Sequence, residues 1–170
     1  MKTRGSGEAD STLELFTKDW GRITAHARGL RKESSRLRFI LQPMSWGNVC
    51  VVRGAGGWRL TTANPDKPGT DLRKGRSSLS RVARIVERFI PQEVPSPLVF
   101  EVLLWHTQML HRDHVHARDW EMMTLARLFE HLGYWGIERV DEEVSMGTYT
   151  PERKARIISE INRILRTAHT

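Results

Sequence analysis

The first half of the chain alternates apolar and polar residues with the period of two that is typical of half-buried β-strands. The turn "KDWG", which contains Gly21, separates two such runs and predicts a β-hairpin. A second hairpin is predicted from strands at Asn48–Arg53 and Trp58–Asn64, joined by the glycine-rich turn "GAGG". The alternating positions of the first hairpin are Leu13, Leu15, Thr17, Ile23, Ala25 and Ala27.

The period becomes helical after "NPDKPGTD", where two prolines and a glycine indicate a linker. The segments "SSLSRVARIVERFI", "SPLVFEVLLWHTQML", "ARDWEMMTLARLFEHLG" and "TPERKARIISEINRILRTA" each predict one helix. The expected boundary residues are Ser77 or Ser78 as the first N-cap, Pro91 as the first stop, Ser96 and Thr150 as starts, and Gly133 as a C-terminal signal.

The pattern as a whole predicts an α+β protein of two modules. Residues 1–68 form a basic β-module of the size of a five-stranded OB-fold barrel, and residues 69–170 form an all-α helical domain. Barrels of this kind often bind single-stranded nucleic acid in a basic groove floored by aromatic side chains.

Charge is unevenly distributed between the two modules. Residues 1–91 contain 18 lysines and arginines against 8 aspartates and glutamates, whereas residues 92–170 contain 9 against 12. With a net charge of +7 and a pI near 10.2, a polyanion is the expected partner of the first module. The alternative is that this charge serves only solubility.

Targeting and redox signals are few. The start "MKTRGSGEAD" lacks the apolar core of a signal peptide, and no apolar run reaches the length of a membrane span. The single cysteine, Cys50, excludes an intrachain disulfide. We therefore expect a cytoplasmic protein without a membrane partner.

A basic segment runs from residue 22 to residue 38, with six lysines and arginines against one acid, Glu33. Phosphate contacts need positive charge without fixed spacing, so this composition suits nucleic acid. The alternative is a solvated loop between the hairpins. The candidate DNA contacts are Arg22, Arg28, Arg31, Lys32, Arg36 and Arg38, with a weaker second cluster at Arg73, Lys74 and Arg76.

Tryptophans at positions 20, 46 and 58 lie in the β-module, where aromatic side chains either fill the core or stack on bases. Trp20 stands in the turn "KDWG", so it is the tryptophan expected to be exposed and is the candidate for base stacking.

Catalytic and metal-binding signals are weak. "HTQMLHRDHVHARD" contains four histidines, but it joins two predicted helices and has no cysteine nearby. "GAGG" precedes a strand instead of opening a helix, so it is not a phosphate-binding loop, and no serine stands in a nucleophile-elbow pattern. We expect no catalytic residue, no metal and no cofactor, and hence a protein that is not an enzyme.

A series of short motifs lies between residues 7 and 43, namely Gly7-Glu8-Ala9-Asp10, Leu15–Thr17, Gly21, Ala27–Gly29, Ser35–Leu37 and Leu41–Pro43. With this order and spacing, residues 7–43 resemble RecO, a bacterial family of recombination mediators and DNA repair proteins. In the second half, "LARLFEHLGYWG" is similar to a family helix that ends in a Leu-Gly pair.

The resemblance implies an N-terminal OB-fold, single-stranded DNA binding, annealing of complementary strands and loading of recombinase during recombinational repair. It also implies a RecR-like protein and single-strand-binding protein as partners. Many family members carry a four-cysteine zinc site where this chain has "GYWGIERVDEEVSMGTYTPERK", without a cysteine. Only "MKTRGS" precedes Gly7, so we expect a barrel without most of its first strand, or a chain whose start is incomplete.

Two other functions fit the same sequence. The OB-fold could act as an adaptor that docks an acidic tail of another repair protein, or it could bind RNA. Nucleic-acid binding measured at several salt concentrations distinguishes the adaptor function from DNA binding, because phosphate contacts release counterions. Matched DNA and RNA oligomers distinguish the second.

Overall fold

The structure is a computed structural model of the 170-residue chain. It forms two compact units, Met1–Phe100, called the sheet unit below, and Glu101–Thr170, called the helical unit. The described residues are 3–5, 10–30, 35, 37–42, 44–65, 75–112, 116–135 and 150–167.

Five strands form one sheet in the order β1-β2-β3-β5-β4. All neighbouring pairs are antiparallel except β3 and β5, which run parallel. The predicted hairpins are therefore confirmed as β2–β3 and β4–β5. The strand bounds are β1 Thr3–Gly5, β2 Ser11–Thr17, β3 Gly21–Ala27, β4 Gly47–Gly54 and β5 Gly57–Pro65.

The alternation seen in the sequence places one face of β2, β3 and β5 in an apolar core. Leu13, Ile23 and Ala25 are fully buried there, and Trp58 and Leu60 join them from β5. Because side chains of a strand point alternately to the two faces of the sheet, the residues between them remain on the outer face. The alternation of apolar and polar residues along the strands therefore determines which side chains form the core.

A short helix that the sequence pattern did not predict covers part of this core. Helix α1 (Leu37–Ile40) packs Leu37 and Ile40 against the buried cluster, and Leu41 is itself buried. The basic segment is therefore not a uniform solvated loop, because Leu30 and this turn of helix anchor parts of it to the sheet.

We expected a barrel without most of its first strand, and the described residues contain a first strand, β1, of three residues. Thr3, Arg4 and Gly5 pair with Leu13, Thr12 and Ser11, respectively. β1 and β4 are the outer strands of the described sheet.

Four longer helices follow, in agreement with the sequence pattern. Their bounds are α2 Arg76–Phe89, α3 Pro97–Arg112, α4 Ala117–His131 and α5 Pro151–Thr167. The chain is thus an α+β protein in which helices follow a sheet. The predicted boundary between residues 68 and 69 lies outside the described residues and stays a prediction. The sheet unit itself extends through α2 to Phe100.

The start of α2 corrects one expectation. Gly75 is the N-cap, the Leu79 N–H donates to its carbonyl oxygen at 3.1 Å, and Ser77 and Ser78 lie inside the first turn. Ser78 and Leu79 are both buried, so they lie on the inward face of the first turn of α2. The helix therefore begins before the two serines, and neither of them caps it.

The ends of α4 and α5 follow the expected signals. Gly133 has φ +76°, and the N–H groups of Gly133 and Tyr134 donate to the carbonyl oxygens of Glu130 and Phe129. This is a Schellman motif, completed by the edge-to-face contact of Tyr134 with Phe129. At the start of α5, the Arg153 N–H donates to Thr150 Oγ1 at 3.3 Å.

Candidate nucleic-acid interface

The sheet unit contains an open groove of about 670 Å³ where the end of β3 meets the β4–β5 turn. The parallel pairing of β3 with β5 creates it, because Ala25 lies beside Trp58 and His26 beside Arg59. Its lining residues are Asp10, His26, Ala27, Arg28, Val52, Arg53, Gly54, Ala55, Gly56, Gly57, Trp58 and Arg59.

Arginines dominate the charge of this groove. Arg28 follows β3, Arg53 lies near the end of β4 and Arg59 lies in β5, and all three are exposed. Asp10 is the one carboxylate of the lining, and its Oδ1 accepts a hydrogen bond from the Gly29 N–H at 2.9 Å. The lining therefore has an excess of positive charge, and its only acid helps to hold the turn that carries Arg28.

The turn between β4 and β5 gives the groove a low rim. Gly57 has φ +93°, a conformation that suits glycine, and it directly follows the Ala55–Gly56 turn. A Cβ built on Gly54 or Gly56 would meet no atom within 4 Å, so these positions border open space. A ligand backbone can approach the main chain closely at this rim.

Two tryptophans stand together next to Arg53. Trp58 is 5% exposed and Trp20 is 49% exposed, and their ring centroids are 5.1 Å apart. The guanidinium carbon of Arg53 lies 5.4 Å from the Trp58 ring centroid, within the range of a cation–π contact. The exposure of Trp20, which the sequence predicted, is confirmed.

Glu93 joins Arg53 and Trp58 from a distant part of the sequence. Trp58 Nε1 donates to Glu93 Oε1 at 2.9 Å, and Arg53 Nη2 lies 2.9 Å from Glu93 Oε2. The Glu93 N–H donates to the Arg22 carbonyl oxygen at 2.8 Å. The segment that follows α2 therefore lies against β3 and brings a carboxylate to the edge of the groove.

The structure separates the predicted DNA contacts. Arg28 lines the groove, and Arg76 is exposed at the start of α2, outside the lining. The Arg22 side chain is 18% exposed, with Nη1 3.9 Å from Glu87 Oε1, so it faces a carboxylate instead of the groove. The roles of these residues stay predictions. Outside the described residues lie Arg31, Lys32, Arg36, Arg73, Lys74 and the side chain of Arg38.

Sequence reasoning did not select Arg53, Arg59, His26 or Glu93. A signal for the two arginines exists in "RGAGGWR", where basic residues flank a glycine turn and a tryptophan. Glu93 has no such signal, because it lies 35 residues after Trp58 and meets it only in the folded chain.

His106, from the histidine-rich stretch, is part of the core of the helical unit. Burial lowers its pKa to about 4, partly opposed by a hydrogen bond with the Trp120 backbone. Its Nδ1 lies 2.7 Å from Thr124 Oγ1, and the Thr124 hydroxyl donates to the Trp120 carbonyl oxygen. The Thr124 hydroxyl has one proton and donates it to Trp120, so its oxygen must accept in the contact with His106. The hydrogen of that contact is therefore on His106 Nδ1.

No metal site emerges from the described part of the chain, where no three His, Cys, Asp or Glu side chains converge. His114 lies outside that part, and the expected absence of metal stays a prediction. None of the described helices has the length and apolar character needed to cross a membrane.

Known proteins match both units. Residues 1–65 match the family described as "Recombination protein O N terminal". A DNA repair protein RecO from Heliobacterium modesticaldum is 31% identical over 139 residues, which cover 79% of this chain and 49% of that protein. The corresponding proteins of Pelotomaculum thermopropionicum and Bacillus subtilis are 32% and 27% identical over 136 and 143 residues. These matches cover 76% and 81% of this chain and 49% and 53% of the relatives.

The sheet unit and these matches make the chain similar to proteins of DNA repair and recombination. The chain is similar to the RecO family, whose N-terminal family model matches its residues 1–65, as the sequence pattern indicated. It spans about half the length of the curated relatives it matches.

Proposed function

We propose that the sheet unit binds single-stranded DNA in this groove and that the chain acts without catalysis. The observation that carries the proposal is the meeting of Arg28, Arg53 and Arg59 with the Trp58–Trp20 pair. Arginine pairs with phosphate through two parallel hydrogen bonds, and aromatic faces stack on bases. The groove thus offers the phosphate-binding arginines, and Trp20, which contacts the lining residue Trp58, offers an exposed ring for a base.

A single strand fits better than a duplex. Stacking on an exposed ring such as Trp20 needs an unpaired base, whereas duplex bases are already stacked on one another. The glycine rim lets a sugar–phosphate backbone lie close to the β4–β5 turn. In the sequence, Arg31 and Lys32 of the basic segment directly follow the turn that carries Arg28.

The remaining parts of the proposal rest on the family. We propose that the five-stranded sheet closes as an OB-fold barrel, and that the protein anneals complementary strands and assists recombinase loading during recombinational repair. A RecR-like protein and single-strand-binding protein are the proposed partners. Positive charge on the sheet unit supports annealing, because two strands must be held together against their mutual repulsion.

Salt-dependent binding of a fluorescein-labelled oligothymidine, followed by anisotropy, tests the groove. Each phosphate contact contributes about 0.7 to the log–log salt slope on single strands, so replacing Arg28, Arg53 and Arg59 with alanine should flatten it by about 2. Arg59→Ala and Arg84→Ala form a matched pair, since each removes one exposed arginine of the sheet unit and only Arg59 lines the groove.

The same assay separates the alternatives. Equal binding of single strands by the folded triple variant and the parent would remove the groove from the mechanism. Tighter binding of a matched RNA would favour the RNA-binding function. Absence of nucleic-acid binding, together with capture of an acidic peptide, would favour the adaptor function.

A further inference from the structure

The side chain of Glu93 is held at the groove by a backbone that is fixed elsewhere. Its N–H is bonded to the Arg22 carbonyl oxygen, and Gln92 Nε2 donates to Thr24 Oγ1 at 3.2 Å. A Cβ on Gly21 would lie 1.9 Å from the Val94 carbonyl oxygen, so this segment runs directly against β3. The position of the backbone therefore does not depend on the Glu93 carboxylate.

The conformation of Glu93 is uncommon for a residue with a side chain. Its φ is +58°, in the left-handed region that favours glycine. Such residues persist where their surroundings over-determine them, and they concentrate at ligand-binding and switch positions. Here the conformation brings a negative charge to two residues that line a positively charged groove.

The contact between Glu93 and Arg53 is open to solvent. The two side chains are 40% and 61% exposed, although Nη2 and Oε2 are only 2.9 Å apart. Exposed ion pairs of this kind stabilise a protein little, so another anion can replace the carboxylate at small cost. A phosphate offers the same two-oxygen geometry to the guanidinium as a carboxylate does.

We propose that Glu93 is an internal anion that competes with the phosphates of single-stranded DNA for Arg53. In the free protein its carboxylate occupies Arg53 and accepts the indole hydrogen of Trp58. When a strand enters, a phosphate takes over the guanidinium, and the ion pair with Glu93 is released. The competition limits affinity, so a strand can be released again after pairing. This inference rests on the proposed function and concerns the regulation of the same groove.

Glu93→Gln tests the competition, because the glutamine amide oxygen can still accept the hydrogen bond from Trp58. The negative charge that faces Arg53 is removed. We expect up to about fivefold tighter binding of oligothymidine at low salt, because the phosphate no longer has to displace an exposed ion pair. The salt slope should stay that of the parent, because a phosphate contacts Arg53 in the bound state of both proteins. Glu14→Gln on β2 is the matched control, since it removes the same charge from the sheet unit outside the groove lining.

A double variant decides whether the effect passes through Arg53. The gain from Glu93→Gln should vanish when Arg53 is already alanine, as expected for two residues that act on one contact. Unchanged or weaker binding by Glu93→Gln, or a gain equal to that of Glu14→Gln, would overturn the competition. Weaker binding would instead show that the carboxylate positions Arg53 for the strand.

Failure of the proposed function can be recognised separately. If neither parent nor variant binds the oligonucleotide, titration with inorganic tripolyphosphate, followed by the indole N–H resonance of Trp58, tests the competition alone. A shift at lower tripolyphosphate concentration in Glu93→Gln than in the parent supports it. Equal midpoints, or no shift in either protein, would overturn it.

Discussion

The indole rings of Trp20 and Trp58 lie 5.1 Å apart, centroid to centroid, with their planes tilted by 52°. Trp58 belongs to the buried cluster of the sheet, whereas Trp20 stands in the β2–β3 turn and is half exposed. The buried ring therefore supports an exposed ring at a defined angle. This arrangement gives a stacking surface rigidity that a turn alone would not provide.

Trp20→Ala should weaken single-strand binding without changing its salt dependence. Stacking of a base on an aromatic ring contributes about 1–3 kcal/mol, which corresponds to roughly fivefold to 150-fold in affinity. The free energy of unfolding should fall by less than about 1.5 kcal/mol, the range of an aromatic pair. Anisotropy titrations at several salt concentrations, with Trp20→Phe as the variant that retains a ring, measure both effects. Unchanged affinity of a folded Trp20→Ala protein would show that no base stacks there.

The basic segment should supply a second, independent part of the electrostatic affinity. Replacing Arg31, Lys32, Arg36 and Arg38 with alanine should flatten the single-strand salt slope by about 2–3, at roughly 0.7 per contact, and weaken binding to all base sequences. The matched control changes the three arginines to lysine and keeps Lys32, so that charge is conserved and the slope should persist. If the folded alanine variant keeps the slope of the parent, the segment is only a solvated connection.

Gly21→Ala should destabilise the sheet unit strongly. A Cβ at this position would lie 1.9 Å from the Val94 carbonyl oxygen, and φ is +63°, so the segment after α2 would have to move away from β3. We expect a loss of more than about 2 kcal/mol in the free energy of unfolding, measured with urea. Gly54→Ala is the control, because its Cβ would meet nothing within 4 Å. Similar losses in both variants would contradict the close approach of Val94 to Gly21.

The stability of the helical unit should fall as the pH drops from about 6.5 towards 4. Burial lowers the pKa of His106 to about 4. In this pH range the unfolded chain therefore binds a proton at His106 that the folded chain does not bind. The free energy of unfolding is therefore fully retained above pH 6.5, and near pH 4 it is smaller by up to about 3 kcal/mol.

Urea unfolding at pH 7 and pH 4.5 measures this effect of His106. His106→Asn, which keeps a side-chain N–H near Thr124 but does not titrate, should lose less stability on acidification than the parent. His26→Gln, at an exposed position of β3, should behave like the parent. Equal pH dependence of the His106→Asn variant and the parent would assign the acid sensitivity to other groups.

Local patterns in the sequence were sufficient for most of the secondary structure. The period of two in Ser11–Thr17 and Gly21–Ala27 predicted β2 and β3, and the turn residues between them predicted the exposure of Trp20. Gly133 and Thr150 marked helix ends because their conformations and side chains satisfy backbone groups within a few residues. Helix α1 was missed because one turn is too short to show a period.

The sequence by itself determined the two hairpins, the four long helices, the excess of positive charge in the first half and the resemblance to the RecO family. Only the tertiary structure decided which charges share a site. The parallel pairing of β3 with β5 gathers Arg28, Arg53 and Arg59, while Arg22 faces Glu87. Periodicity and turn chemistry act over a few residues, whereas a groove depends on strand order and on close contacts such as that of Glu93 with Trp58. These contacts form only when the burial of apolar side chains brings distant segments together.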